Sequence, residues 1–220
     1  MKRMITLAVA ALFGAAAALS AQEGKGITKE VFYLMPDMAR GSVYFNDRAP
    51  ATGDLNICAV DNTVRYKDKY GAELAVEIDE TLTRVVIDGV IFVPYEGVFL
   101  RLYPCGEDVG VAVRRNVLVL SDGKMASYGM ESNTTAVTSI VGMSTTGKVF
   151  SLEDSLEIPY RMSQVAYVYR DGNIMTLNKR NLQRCFPNAK ARIDAWFSEN
   201  KKLENSDIEK VLSLCREWSE

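Results

Sequence analysis

The chain has 220 residues, with 26 lysines and arginines against 28 aspartates and glutamates, four cysteines and no histidine. Without histidine there is no Ser-His or Cys-His nucleophile pair, no His-ligated zinc or haem, and no ordinary neutral-pH acid–base group, so any catalysis falls to Asp, Glu, Lys, Tyr or Cys. Basic and acidic residues are interspersed and form no basic tract, which argues against nucleic acid as a partner, because phosphate binding needs a clustered positive face.

Residues 1–21 read as a secretory signal peptide. Lys2 and Arg3 form the positive start, Met4 to Leu19 runs without a charge, and Ser20-Ala21 places small residues before the polar Gln22-Glu23. Leu19 is bulky for the position three before the cut, so cleavage after Ser20 is the alternative. The apolar run is short of the roughly 20 residues that span a bilayer core. The first cysteine is Cys58, so no lipid can be attached to a cysteine at the new N-terminus. Loss of 21 residues leaves 199, and loss of Lys2 and Arg3 moves the formal charge from −2 to −4. The expected product is soluble and periplasmic or extracellular, with no transmembrane segment after cleavage and enough chain for one domain.

Residues 22–29 are polar and contain glycine, and read as a flexible tail. From residue 30 to 177 the pattern is that of strands. Val31-Phe32-Tyr33-Leu34 reads as a short one, and Ser42-Val43-Tyr44-Phe45 as the next; residues 46–54 (NDRAPATGD) have the composition of a turn-rich loop. Leu55 to Val60 and Thr63 to Tyr66 flank a tight turn at Asp61-Asn62, and Leu74 to Ile78 alternates cleanly. Asp88-Gly89 separates Val85-Val86-Ile87 from Val90 to Val93, and Asp171-Gly172 separates Val165–Tyr169 from Asn173–Leu177. Asp-Gly admits the positive φ angles of a type I′ turn, so both predict hairpins. Val98 to Tyr103 and Val109 to Leu120 continue the meander, the second interrupted by Arg114-Arg115-Asn116.

From residue 178 to 220 the spacing becomes helical. Leu182, Cys185 and Phe186 lie at i, i+3 and i+4 before Pro187; Ile193, Trp196 and Phe197 repeat that pattern. Ser206-Asp207-Ile208-Glu209 reads as a capping box with Ser206 as the cap, followed by a stripe of Ile208, Val211, Leu212, Cys215 and Trp218. Such short helices are not stable alone, so their stripes must pack on the β body or on one another. The predicted class is α+β: a meander-rich antiparallel β body of about ten strands, sandwich or barrel-like, with two or three C-terminal helices packed on it.

Cys58, Cys105, Cys185 and Cys215 contain no CxxC pair, so neither a zinc ribbon nor a thioredoxin motif is present, and no metal or cofactor is expected. If a disulfide forms, Cys185 and Cys215 are the expected pair, because both sit on apolar stripes of one small helical unit; buried free thiols are the alternative.

Ser121-Asp122-Gly123-Lys124 matches S-x-x-K, but that chemistry needs the serine at a helix start, and a hairpin turn accounts for the tetrapeptide. Residues 126–148 are rich in Ser, Thr and Gly, a composition suited to a ligand-binding loop or to solvent-facing strands. Glu77 and Asp79 share a strand face, with Glu80 beside them, so paired-carboxylate glycan hydrolysis is conceivable; solvated charges are the plainer reading. Glu107 and Asp108 with Arg114 and Arg115 are expected to form ion pairs across a hairpin. Val165, Tyr167 and Tyr169 share a face, where tyrosines can stack on sugar rings or merely half-bury a strand. Asp154-Ser155-Leu156 resembles the Asp-(Ser/Thr)-apolar acceptor of protein O-glycosylation in Bacteroidetes, which makes Ser155 the modification candidate.

The Leu-Ser-Ala-Gln signal ending is similar to those of Bacteroidetes. Leu177-Asn178-Lys179-Arg180-Asn181-Leu182, Phe186-Pro187, Ile193 and Trp218 resemble the tail of uncharacterised exported proteins, a domain of unknown function in that group. The resemblance covers about 42 residues and implies compartment and architecture, with no reaction and no functional residues carried over. The reading that remains is an exported, non-catalytic binding or scaffold module for a protein or glycan. The alternatives are a carboxylate-based glycan-active enzyme, recognised by two convergent carboxylates in a cleft, and an assembly subunit, recognised by an exposed sheet edge.

Overall fold

The computed structural model describes residues 22–24, 26–76, 79–119, 152 and 159–220. The signal segment, Glu77, Ser121–Lys124, residues 126–148 and Ser155 lie outside the described residues. The elements are β1 (Gln22–Gly24), α1 (Lys29–Phe32), β2 (Ala39–Phe45), β3 (Ala51–Ile57), β4 (Val64–Lys67), β5 (Glu73–Val76), β6 (Leu82–Ile87), β7 (Val90–Tyr95), β8 (Val98–Gly106), β9 (Val109–Val119), β10 (Tyr160–Arg170) and β11 (Asn173–Thr176). Then come α2 (Lys179–Cys185), a 3₁₀ turn at Pro187–Ala189, α3 (Lys190–Glu199) and α4 (Ile208–Ser219). The fold is α+β, as the sequence pattern predicts.

All strands join one antiparallel sheet in the order β1-β10-β9-β8-β7-β6-β2-β3-β4-β5, with β11 beside β1 on the free side of β10. Two meanders, β2–β5 and β6–β11, are joined where β2 pairs with β6. The turns follow from residue chemistry. Asp88 and Gly89 take φ 48° and 75°, and Asp171 and Gly172 take 50° and 82°, so both predicted hairpins are present. Glu96-Gly97, with φ 50° and 75°, makes a third such turn between β7 and β8.

The sheet is curled rather than flat. Ile27, Val31 and Phe32 around α1, Cys58 and Val60 after β3, and Tyr160 and Met162 of β10 form one buried cluster. β3 and β10 stand six strand steps apart, about 29 Å in a flat sheet, so shared burial requires the two meanders to bend towards each other. α1 ties the bend. Leu34 N–H donates to Ile57 O at 2.8 Å and Ala59 N–H to Phe32 O at 2.7 Å on one side; on the other, Arg115 Nη1 donates to Glu30 O and Tyr33 O, both at 3.0 Å.

Strand alternation gives the inner face a second cluster of Val43, Leu55, Ile57, Val85, Ile87, Phe92 and Phe99. Further along the same face, the helices bury Leu182, Cys185, Phe186, Ile193, Val211, Cys215 and Trp218 against Val111, Val113, Ala166 and Val168. The expected stripes therefore dock on the β body, and each fully buried large side chain contributes ~1.5–3 kcal/mol. The α3–α4 connection also covers sheet edge: Ala166 N–H donates to Asn205 O at 2.7 Å, in the gap between β1 and β11.

Several local expectations are corrected. Residues 22–24, expected in a loose tail, form β1, where Glu23 pairs with Arg161. Val31 to Phe32, expected in a strand, ends α1 instead, because Val31 and Phe32 N–H both donate to Thr28 O at 3.1 and 2.8 Å. β3 starts at Ala51, inside the expected loop, and β9 runs unbroken through Arg114-Arg115-Asn116. The cap of α4 is Asp207, one residue after Ser206, and its side chain accepts from Lys210 N–H at 3.3 Å.

Candidate functional site

The face of the sheet opposite the helices carries a groove of about 510 Å³, within the range of small-molecule sites. Its floor is apolar: Ile91 and Val93 from β7, Leu102 and Pro104 from β8, and Val109 from β9. Its rim is polar or aromatic: Thr83 and Arg84 from β6, Asp108 from the β8–β9 turn, and Tyr169 from β10. Pairing explains the hollow. Pro104 and Tyr169 both stand opposite Gly110, one on each side. A strand position without a side chain between a proline and a tyrosine leaves a trough. Nor can a larger residue fill it: a Cβ at Gly110 would lie 2.6 Å from Tyr103 O, where the β8 register shifts between Pro104 and Gly106.

The rim side chains are anchored differently. The exposed Arg84 guanidinium lies over the Tyr44 ring, 4.4 Å from its centroid, and Thr83 Oγ1 donates to Tyr44 O at 3.1 Å. Tyr167, on the same face as Tyr169, leans on Tyr95 with ring centroids 5.6 Å apart. These two tyrosines pack against a small cluster of Val93, Val98, Leu100 and Ala112. Of the tyrosines singled out by sequence, Tyr169 therefore lines the groove and Tyr167 braces its floor.

The acidic candidates are dispersed. Asp79 caps a turn: its Oδ1 accepts from Thr81 N–H, Thr81 Oγ1 and Leu82 N–H, and its Oδ2 pairs with Arg48 at 3.1 Å. The Thr81 hydroxyl in particular holds its carboxyl below the usual carboxylate range. The expected ion pairs of Glu107 and Asp108 with Arg114 and Arg115 are not made. Glu107 and Asp108 occupy the turn, while the arginines stand at least six residues along β9, about 20 Å away. Arg115 instead holds α1, as described above.

A second polar group is buried beside α1, on the strand face opposite that of Ile57 and Val64, and no local sequence pattern marks it. Arg65 is 0 % exposed and is paired with Asp61; its Nη1 stands 3.6 Å from Glu73 Oε1. Glu73 accepts from the Tyr33 hydroxyl at 2.9 Å on both oxygens. Burial, and then the Glu73 carboxylate, push the Tyr33 phenol well above its ordinary range. Nearby, buried Asn56 bonds Met35 N–H and O at 3.1 and 3.0 Å. These groups brace α1 against β3, β4 and β5.

All four cysteines are free thiols. Cys185 and Cys215 share the helix cluster, with Cys105 packed against it. Burial pushes the Cys58 thiol up to about 12 and that of Cys215 higher still, which suppresses the thiolate needed for reaction. Among the described residues no group of three or more Cys, Asp or Glu is placed to hold a metal ion, and no helix is long and apolar enough to cross a membrane.

Comparison with protein-family models, with curated proteins and with solved structures finds no match. The groove therefore stands as the functional candidate on its own geometry. Its one sequence-level signal beyond Tyr169 is Gly110, an isolated glycine within a β-branched run, which marks a close backbone approach.

Proposed function

We propose that the chain is an exported, non-catalytic binding module and that the groove between Arg84 and Tyr169 takes a glycan. The observation that carries this reading is the groove's lining: an apolar floor beside a tyrosine, with a hydroxyl, a guanidinium and one carboxylate at the rim. A pyranose ring presents an apolar face to stack on an aromatic ring, and hydroxyls that exchange hydrogen bonds with such a rim. Asp108 is the only carboxylate among the groove's described lining residues, and glycoside hydrolysis by the common route needs two flanking the bond. Export is supported by the Lys2-Arg3 start and the uncharged run behind it, and the glycan-rich periplasm or cell surface suits such a ligand.

Calorimetric titration with neutral and acidic oligosaccharides tests the proposal. Binding is expected, and Tyr169→Ala is expected to weaken it about tenfold, the upper range for loss of one ring contact. Binding that is indifferent to Tyr169→Ala overturns the assignment of the site, and release of reducing ends overturns the non-catalytic reading. One observation favours a second reading, assembly: among the described residues β5 pairs only with β4, and Leu74 and Tyr70 beside that edge are 38 % and 82 % exposed. Concentration-dependent sedimentation that is abolished by Leu74→Lys would support it.

A further inference from the structure

On the inner face, between the helix cluster and the β2–β7 cluster, lies a small cavity of about 30 Å³. Arg101, Tyr103, Arg115 and Gln164 line it, with Leu34 and Phe92 as its apolar wall. The register explains the meeting. Gln164 stands directly opposite Arg115. Arg101 stands opposite Val113, and so is diagonal to Arg115 across one strand boundary, a separation of about 7–8 Å that long side chains bridge.

The two guanidiniums arrive with donors to spare. A guanidinium has five N–H donors. Arg115 directs Nη1 at the carbonyls of Glu30 and Tyr33. Arg101 lies over the Tyr103 ring, 4.8 Å from its centroid, a contact that uses no N–H. Among the described residues no carboxylate forms an ion pair with either. Two like charges thus converge on one partly enclosed space with nothing negative between them. Burial first, and the Arg101 charge in addition, lower the Arg115 pKa from its usual value, the direction expected of a site short of negative charge.

We propose that this cavity binds one small monovalent anion of halide size between Arg101 and Arg115, with the Gln164 amide as a neutral donor. The volume sets the size class: about 30 Å³ exceeds the roughly 10–15 Å³ that admits one water, which suits chloride or bromide and is too little for a sugar acid. The inference is independent of the groove, which opens on the opposite face. Because Arg115 also holds the carbonyls of α1, an anion there braces the helix that ties the curl, and halide binding is thereby coupled to stability.

Two measurements test this. In a crystal soaked in sodium bromide, anomalous scattering is expected to place a bromide in the cavity; bromide found only elsewhere, or none, overturns the proposal. In solution, chloride replaces gluconate at constant ionic strength, because gluconate does not fit the cavity. The unfolding temperature is expected to rise with the logarithm of chloride concentration above Kd, by about 3–5 °C at tenfold excess over Kd. Arg101→Met is expected to abolish the rise, and Arg101→Lys to retain part of it. An equal chloride response in folded Arg101→Met overturns the site, and the bromide measurement on the unaltered chain decides the matter if that variant does not fold.

Discussion

Replacing Arg65 by methionine is expected to destabilise the protein by about 3 kcal/mol. The side chain is wholly buried, paired with Asp61 and 3.6 Å from Glu73. Methionine fills a comparable volume, so the loss reports charge rather than a cavity. Removing one partner of a buried ion pair costs roughly 3–5 kcal/mol, because the other charge remains without compensation. Here the abandoned carboxylates are 14 % and 30 % exposed, so water relieves part of the penalty and the lower end applies. The damage extends beyond β4, because Glu73 also receives the Tyr33 hydroxyl at the end of α1, and α1 ties the curl. Urea unfolding followed by tryptophan fluorescence measures the effect, and an unchanged m-value confirms that stability alone has moved. The double variant Arg65→Met, Glu73→Gln is expected to recover part of the loss, since it removes a stranded charge. A loss under about 1 kcal/mol, or no recovery in the double variant, refutes the reasoning that this cluster is a working brace.

Gly89→Val is expected to lower stability by about 1 kcal/mol or more: Gly89 sits at φ 75° with nothing within 4 Å of an added Cβ, so the change reads backbone strain alone; an unchanged denaturation midpoint would place the turn elsewhere. Lys179 and then Gln183 hold the Asp194 carboxyl below its ordinary value, so its contribution is present above the unfolded pKa of about 3.9 and is lost as pH falls towards the folded value. Thermal melts between about pH 2.5 and 6 are expected to show a shallower acid loss in Asp194→Asn; parallel curves would contradict the assignment. Thiol titration in denaturant is expected to return four free thiols per chain, with Cys105, half-buried, alkylated before Cys58 in the native state; two free thiols would establish a bridge, for which Cys185–Cys215 is the first pair to examine.

Legibility in the sequence followed the range of the interaction. The Asp88-Gly89 and Asp171-Gly172 hairpins were readable because two adjacent residues set the φ angles that make the turn. The three C-terminal helices were readable because each stripe repeats within one or two turns. Val31 to Phe32 reads as strand but ends α1, because a short apolar run has no period of its own. Ser206 and Asp207 are both competent caps, and only the geometry of the α3–α4 connection selects Asp207. The groove was less legible still. It depends on Gly110 standing between Pro104 and Tyr169, which lie 65 residues apart in the chain, and that pairing is set by the register of three strands. Nothing local marks an arginine for burial: Arg65 pairs with Asp61 four residues back and with Glu73 on the neighbouring strand β5, whereas Arg115 bonds carbonyls of Glu30 and Tyr33, 85 and 82 residues away in the chain.

The claim that the groove is where this protein meets its ligand is tested most directly by amide chemical-shift mapping during titration with an oligosaccharide that binds. Perturbations centred on Ile91, Leu102, Gly110 and Tyr169 are the predicted result. Perturbations centred on the β5 edge or on the helices, with those four amides unmoved at saturation, would contradict it.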